Sequence, residues 1–218
     1  FDTFIISIHL KFFQYIHSLI KYITILILIP SHNLFFMLKY NYLSFRRYTM
    51  PILYIITGPA GVGKSTISKE LAMSSNKSVL IEGDDIYHQV IGGYTPAWKD
   101  GNHLQTFWKV CMNIFQIYLD DGYDVIFNYI VTPKNIEIVK EKLKNYIIKF
   151  VVLLTDEATL LSRDKERPED CQMKERCITL LNSFKSRNYN AQNILDTTTL
   201  SISHTLEIIK NDNRFILL

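Results

Sequence analysis

Nine consecutive residues constrain this chain more than any others: Gly58-Pro59-Ala60-Gly61-Val62-Gly63-Lys64-Ser65-Thr66. Their spacing is G-x-x-x-x-G-K-[ST], a loop whose glycines let the backbone wrap closely and turn its N–H groups inward onto phosphate oxygens. Such a loop works between a strand and a helix, because the helix adds the positive end of its dipole to the same site. Both flanks are present. Ile52–Thr57 is a short, β-branched apolar strand, and Ser65–Ser74 reads as a helix. Gly58, Pro59, Ala60, Gly61, Val62, Gly63, Lys64, Ser65 and Thr66 are therefore the expected phosphate-binding residues. Lys64 puts a positive charge between the β- and γ-phosphates of a nucleoside triphosphate, and the Ser65 hydroxyl is the expected Mg²⁺ ligand.

The pattern continues beyond the loop. Further strands read at Val79–Glu82, Asp124–Val131, Ile147–Leu154 and Ile194–Asp196. Helices read at Asp84–Val90, His103–Asp120, Pro133–Lys144, Asp156–Glu166, Cys177–Arg187 and Ser201–Asn211. Strands with unbroken apolar runs that alternate with helices imply an α/β fold with a parallel sheet of about five strands between helical layers.

Residues 1–49 stand apart. They contain no Gly, Ala, Val or Glu, a single Asp, and five Lys/Arg, so the small net charge of +3 on the chain sits at this end. Met50 precedes Pro51 and the first strand, and the reading adopted is that a P-loop domain occupies 50–218 and that 1–49 is non-native. The alternative is a membrane anchor. The apolar run Ile16–Ile29, broken by His17 and Lys21, is short for a span of about 20 residues. Residues 50–218 are close to neutral and form no basic nucleic-acid-binding surface. Cys111, Cys171 and Cys177 are too few for a disulfide framework and read as reduced thiols of a cytoplasmic protein. A structural zinc site needs about four ligands, more than Cys171 and Cys177 supply.

The loop alone does not separate a GTPase, a motor and a metabolite kinase. No N-K-x-D guanine motif occurs, and the strand from Asp124 leads into Asn128 in place of an acid. The second strand instead ends Ile81-Glu82-Gly83-Asp84-Asp85-Ile86-Tyr87-His88. An acid, one spacer and an Asp resemble the D-x-D element of shikimate and gluconate kinases. From Pro51 to about Ile209 the chain is similar to the wider small-molecule P-loop kinase group, which includes chloramphenicol phosphotransferase and is often labelled AAA family ATPase.

The resemblance implies site roles residue by residue. Asp84 matches the Asp that takes the acceptor hydroxyl's proton and lies near Mg²⁺. Glu82 departs from the family's first Asp. Arg163 and Arg167, four apart on one helix face, match lid arginines that close over the γ-phosphate, which puts the lid at about 163–176 with Lys174 and Arg176 on its far limb. Asp196 and Thr197 match the segment whose loop borders adenine. With Lys64, the residues Asp84, Arg163 and Arg167 form the expected catalytic set, and Ser65 and Asp84 the expected metal set.

Acceptor residues in such a fold come mainly from about 84–121 and the end of the third strand. No arginine lies between Arg47 and Arg163, so that region offers no bidentate anion clamp. It offers Asp85, Tyr87, His88, Tyr94, Trp98 and Asn128, which suit a neutral or cationic hydroxyl compound. The aromatic residues at helical spacing in 103–118, Trp108 included, read as packing. The expected activity is transfer of the γ-phosphate of ATP, with Mg²⁺, to a hydroxyl of a small molecule. The alternative is a P-loop ATPase or nucleotide-binding regulatory module without an acceptor. Monomer and dimer stay open.

Overall fold

Strands that are apolar at every position must be covered on both faces, and β1 (Ile52–Thr57) shows how this chain does it. In the computed structural model, which describes residues 50–217, Leu53 and Ile55 enter one core while Tyr54 and Ile56 enter a second on the opposite face. The remaining strands are β2 (Ser78–Glu82), β3 (Asp124–Asn128), β4 (Ile147–Leu154) and β5 (Ile194–Asp196). They pair in the order β2-β3-β1-β4-β5, every pairing parallel, with Tyr54 level with Ile126 and Lys149. The expected five-stranded parallel α/β architecture is what the chain adopts.

The helices are α1 (Lys64–Met73), α2 (Gly83–Tyr87), α3 (Leu104–Asp120), α4 (Pro133–Lys142), α5 (Glu157–Lys165), α6 (Glu175–Ser186) and α7 (Ile202–Asn211). Phe107, Cys111, Phe115 and Leu119 of α3 repeat at helical spacing and fill the first core with Ile136 and Val139 of α4. Ile67 and Leu71 of α1, Leu160 of α5, Leu181 of α6 and Ile209 of α7 fill the second. Among the described residues no helix is long and apolar enough to cross a membrane. The expectations for 1–49 lie outside the described residues.

Strand β3 is shorter than its apolar run, which continues to Val131. The chain leaves the ladder at Asn128 and bends over the end of β1. There the Tyr129 amide donates to the Ile56 carbonyl at 3.4 Å and the Val131 amide donates to the Thr57 hydroxyl at 2.9 Å. This bend brings Asn128 and residues 129–132 to the carboxyl edge of the sheet, where parallel α/β folds bind ligands.

Two buried charges hold the ends of elements. Lys149 interrupts the apolar β4 and is 3% exposed. Its ammonium donates to the carbonyls of Ile209 (3.1 Å), Lys210 (2.7 Å) and Asp212 (3.2 Å) and so caps the last turn of α7, where helix carbonyls lack partners. Burial lowers its pKa from the ordinary lysine value, against the opposing pull of Asp212.

Asp164, in the last turn of α5, organises the following loop. Its carboxylate accepts from the amides of Met173 (2.9 Å) and Lys174 (2.8 Å) and from the Arg167 guanidinium at 3.3 Å. Burial alone would raise this carboxyl. The hydrogen bonds from Lys174, the Cys177 thiol, Met173 and Arg167 outweigh it and hold the pKa below the usual carboxylate range. The staple turns the chain back at Lys174, whose φ is 49°, and sends it into α6.

Replacing Lys149 by Met keeps the stem and removes the cap. The expected cost is about 1.5–3 kcal/mol in urea unfolding, with protection against hydrogen exchange lost first at the end of α7. Asp164→Asn should cost about 2–3 kcal/mol near neutral pH. Because the folded pKa of Asp164 is depressed, its contribution is complete above the unfolded value of about 4 and fades as pH falls through the folded value. The stability gap between the two proteins should therefore close on acidification. A gap that stays constant into strong acid would show that the carboxylate charge is not what holds the loop.

Candidate active site

At the end of β1 the chain must turn at once toward α1, and the space allows no side chain at the turn. A Cβ on Gly58 would lie 2.4 Å from the Leu153 carbonyl oxygen of β4, and φ there is +151°. Gly63 sits at the N-cap of α1 with φ 102°, again a conformation that favours glycine. Val62, buried between them, anchors the loop in the second core. Lys64 opens α1, and its ammonium donates to the Pro59 carbonyl across the loop at 2.9 Å. Burial lowers Lys64 to about 8, against the pull of Asp84, with Arg167 lowering it further and Glu82 raising it.

Beside the loop, three side chains from three elements form a hydrogen-bonded line. The Asn128 amide, at the end of β3, donates to the Ser65 hydroxyl at 3.0 Å and to the Glu82 carboxylate at 2.5 Å. Burial raises the Glu82 pKa and outweighs the Asn128 bond, and the neighbouring Asp85 and Asp84 charges add to the rise. Asp84 lies one residue into α2 and faces the same cavity. A hydroxyl and carboxylates converging beside a phosphate loop make a hard oxygen donor set that fits Mg²⁺. Glu82 thus joins the expected metal pair, Ser65 and Asp84, as a third candidate. Asp85 is exposed and lies off the cavity wall.

Arg163 and Arg167 both reach the cavity but are not equivalent. Arg163 donates to the Val62 carbonyl (3.1 Å), the Thr197 hydroxyl (3.1 Å) and the Thr197 carbonyl (2.9 Å). It ties the phosphate loop to the segment after β5, so most of its donors are committed to protein. Arg167 lies beyond the end of α5, paired with Asp164 and partly exposed. Thr197 lines the cavity, its hydroxyl also bonded to the Leu154 carbonyl at 3.1 Å. Asp196 does not line it. Its carboxylate caps a turn by accepting from the Thr198 amide (2.9 Å) and hydroxyl (2.6 Å).

The acceptor end departs most from the sequence expectation. Tyr87 is 3% exposed, donates its hydroxyl to the Thr95 carbonyl at 2.7 Å and stacks on His103 at 4.1 Å. His88 and Tyr94 pack around Tyr87 and do not line the cavity. Tyr87 is held in the core by these contacts, while His88 and Tyr94 are exposed beside it and stay off the cavity wall. Trp98 does line it, 73% exposed, with the Arg176 guanidinium 5.7 Å from its ring centroid. Trp108, read as packing, lines the cavity as well, because it stands at the edge of the α3 apolar stripe. Arg187 was missed. It follows α6, which returns over the carboxyl edge of the sheet and brings Arg176, Leu180 and Arg187 to the cavity. The cavity wall therefore carries arginines that the stretch before Arg163 does not supply. No motif marks Arg187, since its position depends on where α6 packs.

The phosphate loop, the acidic end of β2 and these aromatic and cationic residues share one cavity of about 1070 Å³. A family model described as an AAA domain matches residues 53–180. No curated protein sequence matches the chain. Among solved structures, the tunicamycin resistance protein of Deinococcus radiodurans superposes with a TM-score of 0.55 at 17% identity, covering 74% of this chain and 94% of that one. The APS kinase of Mycobacterium tuberculosis, in complex with AMPPNP and APS, gives 0.55 at 13% identity, with 74% and 96% covered. A gluconokinase of Sinorhizobium meliloti 1021 gives 0.54 at 14%, with 73% and 90% covered. At such identities the likeness establishes the fold, and it is the fold of the P-loop kinases that the motifs resemble. The family match spans more than half of the chain, and the chain therefore belongs to this AAA domain family on a P-loop kinase fold.

Proposed function

We propose that the protein is an ATP- and Mg²⁺-dependent phosphotransferase acting on a hydroxyl of a small molecule. The observation that carries this reading is the Ser65–Asn128–Glu82 line with Asp84 beside it, set against the phosphate loop in a cavity with room for two ligands. The loop amides and Lys64 hold the triphosphate, and Thr197, which lines the same cavity, is the candidate for the base end. Magnesium, held by Ser65 with Glu82 and Asp84, would neutralise charge on the phosphate oxygens. Asn128 keeps the Ser65 hydroxyl and the Glu82 carboxylate oriented. Asp84 accepts the proton of the acceptor hydroxyl as its oxygen forms a bond to the γ-phosphorus and the bond from that phosphorus to the bridging oxygen of ADP breaks. Arg167 shifts from Asp164 toward the transferred group, while Arg163 holds the loop in place.

The test is ADP release from Mg-ATP across sugars, sugar acids, nucleosides and hydroxylated antibiotics, with products weighed by mass spectrometry. An acceptor that stimulates release and gains one phosphoryl group supports the reading. A flat panel with steady, acceptor-independent ADP release would turn it toward the ATPase or regulatory alternative.

Asp84→Ala should lower transfer by about 10²–10⁴-fold and weaken Mg²⁺ in the nucleotide complex, since Asp84 serves both the acceptor and the metal, while ATP affinity measured without Mg²⁺ changes little. Unchanged turnover removes Asp84 from the reaction. Lys64 adds a proton-linked expectation. Its free-protein pKa of about 8 leaves it partly neutral at that pH, and phosphate charge favours the ammonium. Mg-ATP binding near pH 8 should therefore take up protons, and uptake should fade toward pH 6, where Lys64 is already charged. Calorimetry in buffers of different ionisation heat measures this, and proton release at pH 8 contradicts it.

A further inference from the structure

Glu82 and Asp84 flank a glycine that has no room for a side chain. A Cβ on Gly83 would lie 2.5 Å from Cδ2 of Tyr129 and 2.7 Å from its Cβ and Cγ. The Tyr129 Cβ does not move with any rotamer, so turning the side chain cannot relieve the clash. Gly83 opens α2 without the positive φ of the loop glycines, so space and not backbone conformation calls for glycine here. Tyr129 cannot retreat either. Its amide is bonded to the Ile56 carbonyl at 3.4 Å, and its ring packs on Phe107 at 4.6 Å, Phe127 at 6.0 Å and Trp108 at 6.1 Å between centroids. The first turn of α2 therefore rests on a fixed aromatic ring.

The two acids beside this contact are held differently. The Asn128 amide fixes the Glu82 carboxylate at 2.5 Å. The Asp84 carboxylate is exposed and, among the described residues, has no hydrogen bond or ion pair of its own. Its place depends on the backbone at the start of α2. Burial and then the Asp84 charge raise the pKa of the Tyr129 phenol, which marks the ring and the carboxylate as neighbours. We propose that Tyr129 is a positioning residue for Asp84: its ring, packed on Gly83, sets the first turn of α2 and with it the direction of the carboxylate toward Mg²⁺ and the acceptor hydroxyl. Tyr129 acts through Asp84 and not through its own hydroxyl. The spacer of the acid–x–acid element is glycine in this chain because the ring takes the space of a side chain. The proposal rests on the phosphotransferase reading and adds the residue that orients its base.

The test is a double-mutant cycle on Mg²⁺ affinity. It is read by calorimetry on the full chain saturated with AMPPNP, so it needs no acceptor. Tyr129→Leu keeps apolar bulk and removes the flat ring, while Gly83→Ala forces the clash from the other side. Each should weaken Mg²⁺ by about 10–100-fold and leave AMPPNP affinity without Mg²⁺ unaltered. Tyr129→Phe keeps the ring and should hold Mg²⁺ as the unaltered protein does. Added to Asp84→Ala, Tyr129→Leu should cost nothing further. If Tyr129→Leu fails to fold, by circular dichroism, Gly83→Ala takes its place in the cycle. Four results overturn the role: a loss in Tyr129→Phe, a further loss on the Asp84→Ala background, Mg²⁺ affinity unchanged in Tyr129→Leu and Gly83→Ala, or an Asp84→Ala protein that holds Mg²⁺ as before. Failure of the unaltered protein to bind Mg-AMPPNP overturns the phosphotransferase reading first, and the role of Tyr129 with it.

Discussion

The turn at Gly58 is the contact on which the site depends. Strand β4 runs so close to the end of β1 that the Leu153 carbonyl occupies the space a Cβ would need. Only a bare backbone passes there, and because it passes, the loop closes back on itself within six residues and hands the chain to α1 with its amides facing one point. Everything that follows is placed from this turn. Val62 drops into the second core, Arg163 grips the Val62 carbonyl from α5, and Lys64 points across the loop. The shape of the loop is a consequence of strand spacing in the sheet, held by packing beneath it.

Around that turn the charges are sorted by element. The acids come from the end of β2 and start of α2, the loop cation from α1, and the arginines from α5, α6 and the segment between and after them. Asn128 is the junction. Where an acid at the end of β3 would add repulsion to Glu82 and Asp84, a neutral amide joins Ser65 to Glu82 and keeps the carboxylate count low. Asp164 does the corresponding work on the far side. Buried and multiply hydrogen-bonded, it fixes the loop that carries Arg167 and redirects the chain into α6.

How much of this was legible in the sequence varies with the range of the interaction. The loop, its strand and its helix were readable because they are contiguous. So was Asp84, one residue into the helix after β2. Tyr87 and Trp108 show where reading by position stops: Tyr87 is core where a pocket residue was expected, and Trp108 packs as expected but also lines the cavity. Both sit at plausible positions, one beside a loop and one on an apolar helical stripe, and periodicity cannot say which ring turns inward. The structure answers through neighbouring side chains: His103 and Thr95 hold Tyr87, while Trp108 packs on Phe127 and Tyr129 and also lines the cavity. The cations of the cavity wall were illegible for a similar reason. Residues 84–131 hold no arginine, but the wall facing them is built by α6.

By itself, then, the sequence determined the alternation of strand and helix, the parallel two-sided sheet and the phosphate loop. These follow from local periodicity, from glycine's conformational freedom and from motifs whose members are adjacent. Tertiary structure decided the strand order, the bridging role of Asn128, the engagement of Arg163 by the loop and the arrival of Arg176 and Arg187 at the cavity. Each depends on which surfaces of separate elements meet when two cores are filled, and that is set by packing among residues far apart in the chain.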